Sequence, residues 1–317
     1  MLVVNPNLCF DRTLAVDSFE VGTVSRPYDV KVTAGGKGVN VVRTASDLGA
    51  PAELVGLVAE GDGARLLELL TGERIVMHAV PVAGDVRSAT IILELSGRAT
   101  VLNEPGPAMS AVDLDHLVAE VDVRLPVAGG PLVCSGSLPP GLPVSAYGLL
   151  VELARRHDVP TIVDAARDAL LGSLPFAPDL VTPNLAEAEG IVSGAVTEPV
   201  EAEAVPLDEV RKRAAAAAEG LVGRGARRAV VTAGGHGVCA AVDGATTWIP
   251  APRVSVVNPI GAGDSFAAGV AVGLCRGLGW LEAIELGVTV ASAAVEMPGA
   301  GRVDADRVTE LTQAVKA

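Results

Sequence analysis

Short runs of consecutive apolar residues recur along the chain, at residues 2–4, 52–58, 131–135, 161–164, 180–182 and 228–232. Runs this short, apolar without alternation, predict strands covered on both faces. Between them, apolar positions fall at helical spacing over residues 39–48, 63–70, 146–157, 185–192, 207–221, 264–276 and 281–297. Strand alternating with helix predicts an α/β fold: a mostly parallel sheet with helices on both faces, binding its ligands beyond the carboxyl ends of the strands. Two segments break the rhythm. Residues 28–33 alternate polar with apolar, and residues 89–102 read as a hairpin turning at Ser96-Gly97, so both predict half-buried strands with no helix between them. We expect them to form a small sheet beside the main one; the other possibility is that they are edge strands of the core. The acidic, proline-containing stretch 194–206 predicts a surface loop, and the alanine run 214–218 a helix.

With half of its 317 residues hydrophobic, the chain can bury one large core. Its net charge of −14 and 3% aromatic content argue against a nucleic-acid partner, whose phosphates need Lys and Arg and whose bases need stacking platforms. Cys9, Cys134, Cys239 and Cys275 lie far apart without a C-x-x-C, and the four histidines lack ligand spacing, so any metal is expected to be held by oxygen. No apolar run reaches the roughly 18 residues of a membrane helix. The expectation is a cytoplasmic protein with no membrane partner.

The stretch Asn258-Pro259-Ile260-Gly261-Ala262-Gly263-Asp264-Ser265 changes this picture most. It follows the β-branched run 254–257 and opens a helical pattern, which predicts a strand-to-helix junction. Backbone N–H groups at a helix start lack helical partners and sit at the positive end of its dipole, and Gly261 and Gly263 would let a phosphate approach. A carboxylate there repels an anion, unless Asp264 takes the proton from the group that attacks it. The plainer reading is an N-cap with a tight glycine turn. A second element, Gly35-Gly36-Lys37-Gly38-Val39-Asn40, also precedes a helix and offers open backbone, a cation and an amide. It is neither a P-loop nor a dinucleotide fingerprint. A third, Thr232-Ala233-Gly234-Gly235-His236-Gly237, would suit a nucleotide phosphate or base.

Together these elements resemble the ribokinase-like sugar kinases, and among them the phosphofructokinase B branch that phosphorylates sugar phosphates. The resemblance rests on GGKGVNVVR (35–43), NPIGAGDSFAAG (258–269), VTPNLAEAE (181–189) and CSGSLPPGLP (134–143), with NPNLCFDRT (5–13), GTVSR (22–26) and VLNEPGP (101–107), and it covers nearly the whole chain. It implies a ribokinase-like three-layer fold: an α/β core of residues 1–13, 34–84 and 104–317, with a β-sheet lid of residues 14–33 and 85–103. It implies transfer of the γ-phosphoryl group of ATP, with Asp264 as general base and Gly261, Ala262 and Gly263 supplying N–H donors. Asn184 and Glu187 would organise Mg²⁺, largely through water; by themselves they also read as a capped helix start. Thr232, Gly234 and Gly237, with Asn184, would lie on the nucleotide. Asp11, Gly36 and Asn40 would bind sugar hydroxyls, and Arg26, Lys37 and Arg87, with Ser135 or Ser137, the acceptor's phosphate.

The chain departs from the branch at Thr182, where a lysine is usual, and at Pro259, Ala233 and Arg167. Arg167 is expected to stand in for the lost lysine on the nucleotide side. The implied acceptor is fructose 1-phosphate, giving fructose 1,6-bisphosphate. Tagatose 6-phosphate, fructose 6-phosphate and an unphosphorylated sugar or nucleoside are alternatives, and a sugar-phosphate sensor is the non-enzymatic one. The resemblance also implies a homodimer paired through the lid.

Overall fold

The computed structural model describes residues 1–165, 167–194 and 205–316. The apolar runs become the parallel part of a nine-stranded sheet. Its strands are β1 (Leu2–Val4), β4 (Glu53–Ala59), β5 (Val76–Val82), β8 (Leu132–Gly136), β9 (Thr161–Ala165), β10 (Leu180–Val181) and β11 (Ala229–Thr232), closed by the antiparallel pair β12 (Gly237–Val242) and β13 (Ala245–Pro250). The order is β13-β12-β11-β10-β9-β8-β1-β4-β5, and every pairing from β11 to β5 is parallel. Val3, Val4, Leu54, Val55, Val133, Ile162 and Val163 are fully enclosed, as strands covered on both faces require.

One face carries α1 (Lys37–Asp47), α8 (Ala262–Cys275) and α9 (Trp280–Ala294), with α10 (Ala305–Lys316) against α9. The other carries a row in which α3 (Ala111–Arg124), α4 (Ala146–Arg156), α5 (Arg167–Ser173), α6 (Leu185–Ser193) and α7 (Leu207–Gly223) pack in succession; α2 (Gly63–Gly72) lies by β5. The pair α8 and α9 meets backbone to backbone. A Cβ at Gly269 would come 2.8 Å from the Cα of Gly287, so only glycine allows this approach. The small residues of α8 therefore fix the helix that carries Asp264.

A separate four-stranded sheet, in the order β3-β2-β6-β7, is formed by β2 (Cys9–Val16), β3 (Asp29–Gly35), β6 (Arg87–Glu94) and β7 (Ala99–Asn103). The hairpin turns at Gly97, whose φ is +85°, as expected. Strand β2 starts at Cys9 and so crosses the boundary expected at residue 13. Cys9 pairs with both Gly35 and Arg87, which roots this sheet beside the carboxyl end of β1.

The run 254–257 is not a strand. Its β-branched residues favour extended backbone, but they join neither the free edge of β13 nor any other strand. Val257 and Asn258 instead donate to the carbonyl of Val295 at the end of α9 (2.7 and 3.0 Å), and Val256 and Val257 are 64% and 61% exposed. The glycine turn thus follows an unpaired extended segment. Most of the expected surface loop, residues 195–204, lies outside the described residues. Among the described residues, no helix is long and apolar enough to cross a membrane.

Candidate active site

Helices α1 and α8 start side by side at the carboxyl ends of β8 and β9. Their first turns share a cluster of charge in which the carboxylates are buried and Lys37 is partly exposed. Lys37 Nζ lies 3.1 and 3.3 Å from the two carboxylate oxygens of Asp164, at the end of β9, and 3.4 Å from Asp264 Oδ1. Asp264 Oδ2 accepts from Asn40 Nδ2 at 2.8 Å. Both aspartates are almost wholly enclosed. Burial, reinforced by the Asp164 charge, raises the pKa of Asp264, while Lys37 and Asn40 oppose the rise. Burial also works to lower that of Lys37, but Asp164, Asp264 and Glu187 outweigh it, and the ammonium is held above its usual value. A carboxylate with raised proton affinity beside a fixed cation is suited to accept a proton near neutral pH.

The turn before α8 is built around Gly261, the N-cap, at φ +83°. Asn258 Oδ1 accepts from the N–H of Ile260 (3.0 Å), and the N–H of Ala262 donates to the carbonyl of Pro259 (3.3 Å), so Ala262 is committed within the turn and is not a free donor. At Gly263 the space a Cβ would fill has no atom within 4 Å. The open side of the turn therefore faces no protein at Gly263. A Cβ at Gly261 would lie 3.0 Å from the N of Gly301, and its φ disfavours any side chain. Gly261→Ala is expected to cost about 1–2 kcal/mol of stability, read as a lowered Tm.

Asn184 and Glu187 make a reciprocal capping box at the start of α6. Asn184 Oδ1 accepts from the N–H of Glu187, and Glu187 Oε2 accepts from the N–H of Asn184, both at 3.0 Å. Burial raises the pKa of Glu187, with Lys37 and the capping bonds opposing. Among the described residues, no three or more His, Cys, Asp and Glu side chains converge on a metal site. Asn184 and Glu187 suit a divalent cation that takes few protein ligands and keeps several waters, because the capping box uses only one of the two Glu187 carboxylate oxygens. Thr232 forms an isolated parallel bridge with Asn184, which places the third glycine element beside α6. Gly234 faces open space, whereas Gly237 starts β12, and a Cβ there would strike the carbonyl O of Ile249. Arg167 donates to the carbonyl of Gly190 in α6 at 2.9 Å and so serves to tie α5 to α6. The hydroxyls of Ser135 and Thr182 are buried, with no partner among the described residues; Ser135 pairs in register with Asp164.

On the small-sheet side, Asp11 accepts from the Cys9 thiol at 3.3 Å and lies over Gly35. Burial raises its pKa against the pull of Arg43 and Arg87. The side on which Gly36 and Gly38 lack a side chain is occupied by protein. Cβ atoms at Gly36 and Gly38 would come within 2.4 and 2.6 Å of Asn5, and the N–H of Gly38 donates to Asn5 Oδ1 at 2.9 Å. The missing side chains admit Asn5. Asn40 spends one N–H on Asp264 and one oxygen lone pair on Arg43, which hold its amide between them. Arg87 donates to the carbonyls of Asn7 (3.0 and 3.1 Å) and Glu104 (3.2 Å), and Asn7 Nδ2 reaches Ser137 Oγ at 3.0 Å, so Arg87 and Ser137 are brought together through Asn7. Arg26 is exposed, with no hydrogen bond or ion pair among the described residues.

Sequence reasoning missed Asp164, Arg43, Asn5 and Asn7 as site residues. Asp164 could have been found as the one charged residue at the end of the strand TIVD, and Arg43 as a cation among the apolar positions of a helix start, VNVVRTA (39–45).

A mostly parallel sheet with helices on both faces and a smaller sheet beside it, carrying a buried carboxylate behind a glycine turn, is an α/β arrangement that suits phosphoryl transfer. The chain matches the pfkB family carbohydrate kinases over residues 2–306, and it belongs to that family. It is a sugar kinase. Phosphofructokinase-2 from Escherichia coli, solved with potassium, is 25% identical over 100% of this chain and 99% of its own, with a TM-score of 0.87. A possible 1-phosphofructokinase from Thermotoga maritima is 25% identical over 98% and 97%, with a TM-score of 0.81. The ribokinase of the same organism, 21% identical over 98% of each chain with a TM-score of 0.72, shares the ribokinase-like fold.

Proposed function

We propose that this kinase transfers the γ-phosphoryl group of ATP to a hydroxyl of a ketohexose phosphate, with fructose 1-phosphate as the favoured acceptor and fructose 1,6-bisphosphate as the product. The observation that carries the reading is the environment of Asp264: buried, anchored through one oxygen by Asn40, and set beside the open face of a glycine turn. Asp264 receives the hydroxyl proton at Oδ1, the oxygen Asn40 leaves free. Lys37 stabilises the carboxylate before the transfer and the negative charge that gathers near it during the transfer. Gly263 and the neighbouring backbone of the α8 start supply N–H donors to the phosphoryl oxygens. Mg²⁺, held by Glu187 and Asn184 largely through water, would neutralise part of the phosphate charge. Thr232 and Gly234 flank the nucleotide.

Arg87 and Ser137 bind the phosphate the acceptor already carries, with Asp11 and Lys37 between that end and the reacting hydroxyl. Although three bonds tie the Arg87 guanidinium to carbonyls, it keeps further N–H donors for a phosphate. Fructose 6-phosphate is the second acceptor, since the Escherichia coli neighbour was crystallised with it. The small sheet acts as a lid that excludes water, a competing phosphoryl acceptor. Its exposed Val30, Leu93, Val101 and Leu102 support pairing of two lids in a homodimer, and a tetrameric inhibited form is known for the Escherichia coli protein. Arg87→Ala should raise KM for a sugar phosphate by about 10-fold or more while leaving that for ATP unchanged, which steady-state kinetics measures. Equal loss with fructose and fructose 1-phosphate would show that Arg87 does not read the phosphate.

A further inference from the structure

A chain of contacts runs away from Asp264 into the protein. Asn40, whose Nδ2 donates to Asp264, accepts at Oδ1 from Arg43 Nη1 at 3.0 Å. Arg43 is itself buried, one turn further along α1. Its Nε and Nη2 donate to the two oxygens of Glu73, at the end of α2, each at 2.6 Å, and Nη2 donates to the carbonyl of Ala34 at 2.7 Å. Enclosing a guanidinium is costly unless its donors are met, and here each nitrogen has an acceptor.

The orientation of Asn40 follows from chemistry. An amide has one accepting end and one donating end, whereas a guanidinium only donates. Asn40 must therefore turn Oδ1 to Arg43, which leaves its NH₂ group for Asp264. The backbone closes the other side: a Cβ at Gly301 would come 2.5 Å from the Cα of Asn40, and one at Gly261 3.4 Å from its Nδ2. Without Arg43 the amide could turn its oxygen to Asp264; a carboxylate has no proton to donate to it, whereas a carboxylic acid has one.

We propose that Arg43, braced by Glu73, is a positioning residue for the general base, fixing the Asn40 amide so that its NH₂ group holds Asp264 as a carboxylate. The proposal rests on the reading of Asp264 as the base. The charged groups facing Asp264 are Lys37 on α1 and Asp164 on β9, and both stay in place in the variants below.

The test uses the full chain. Arg43→Lys keeps a cation opposite Glu73 but loses the planar fork, and the double variant Arg43→Met with Glu73→Met removes both charges together. The Asp264 carboxyl is followed by ¹³C NMR in aspartate-labelled protein, its signal assigned by loss in Asp264→Asn. ADP release from Mg·ATP is measured with fructose 1-phosphate and with fructose 6-phosphate. In both Arg43 variants the Asp264 titration should move to higher pH and kcat should fall about 10- to 100-fold, with KM for ATP unchanged. Thermal melts identify a variant that has not folded; Arg43→Lys, which keeps the pair with Glu73, decides the question. An Asp264 titration unchanged in folded Arg43→Lys overturns the positioning role and leaves the base reading standing. A normal kcat in Asp264→Asn removes the base reading, and this proposal with it.

Discussion

Asp264→Asn is expected to leave the fold intact and to lower kcat by about 10²–10⁴. The amide has the shape of the carboxylate and can still meet Asn40, but it cannot take a proton from the acceptor hydroxyl. Binding should survive, because the contacts proposed for the acceptor's phosphate lie at Arg87 and Ser137 and those for the nucleotide at Asn184, Thr232 and Gly234. Titration calorimetry with ATP and with fructose 1-phosphate separates the two effects. Unchanged affinities with a collapsed kcat are the predicted pattern. A kcat close to that of the parent enzyme would mean that proton transfer runs through another group.

The second large effect should come from Lys37→Met. Lys37 is the cation between Asp164 and Asp264, so its removal leaves two buried carboxylates facing each other without a counter-charge. Like charges so placed cannot both stay ionised, and Asp264, already raised by burial, is pushed further up. The base is active only when deprotonated. The acid limb of the kcat profile must therefore move to higher pH, and kcat at neutral pH should fall by about 10²–10³ once the cation near the transferring group is lost. Stability should fall as well, but by less than for a fully enclosed pair, because the Lys37 side chain is 41% exposed. A pH–rate profile and a thermal melt on the same preparation read both. An acid limb that stays in place would show that Lys37 does not govern Asp264.

How much of this was legible in the sequence depended on whether the signal was local. The strands at 2–4, 52–58 and 161–164 were readable because continuous apolar runs have few other uses in a folded chain. Strand β2 was not, because in CFDRTLAV two apolar residues are followed by three polar ones and then three apolar ones, so no period of two stands out. Helix α3 carries a capping box at Ser110 and Asp113, yet it buries only Leu114, Leu117 and Val121, too thin a stripe to stand out from the acidic residues around it. The chemistry at Asp264 and Lys37 was visible from the glycines beside them. What each polar atom faces was not, since that depends on α1 and α8 lying side by side across more than two hundred residues of sequence. Neither the place of the Asn40 amide between Asp264 and Arg43, nor that of Asn5 against the bare side of Gly36, could be read from the motif that carries them. Where the branch has a lysine, Thr182 leaves a buried hydroxyl with no partner among the described residues, and nothing local showed that Arg167 would bond to the carbonyl of Gly190.

The central claim is phosphoryl transfer to a sugar that already carries a phosphate. The most direct measurement is ADP release from saturating Mg·ATP with fructose 1-phosphate, fructose 6-phosphate, tagatose 6-phosphate and unphosphorylated fructose compared side by side. Turnover with the phosphorylated ketohexoses, highest with fructose 1-phosphate and abolished by Asp264→Asn, is the predicted result; turnover with fructose alone, or with none of the four, would contradict the account.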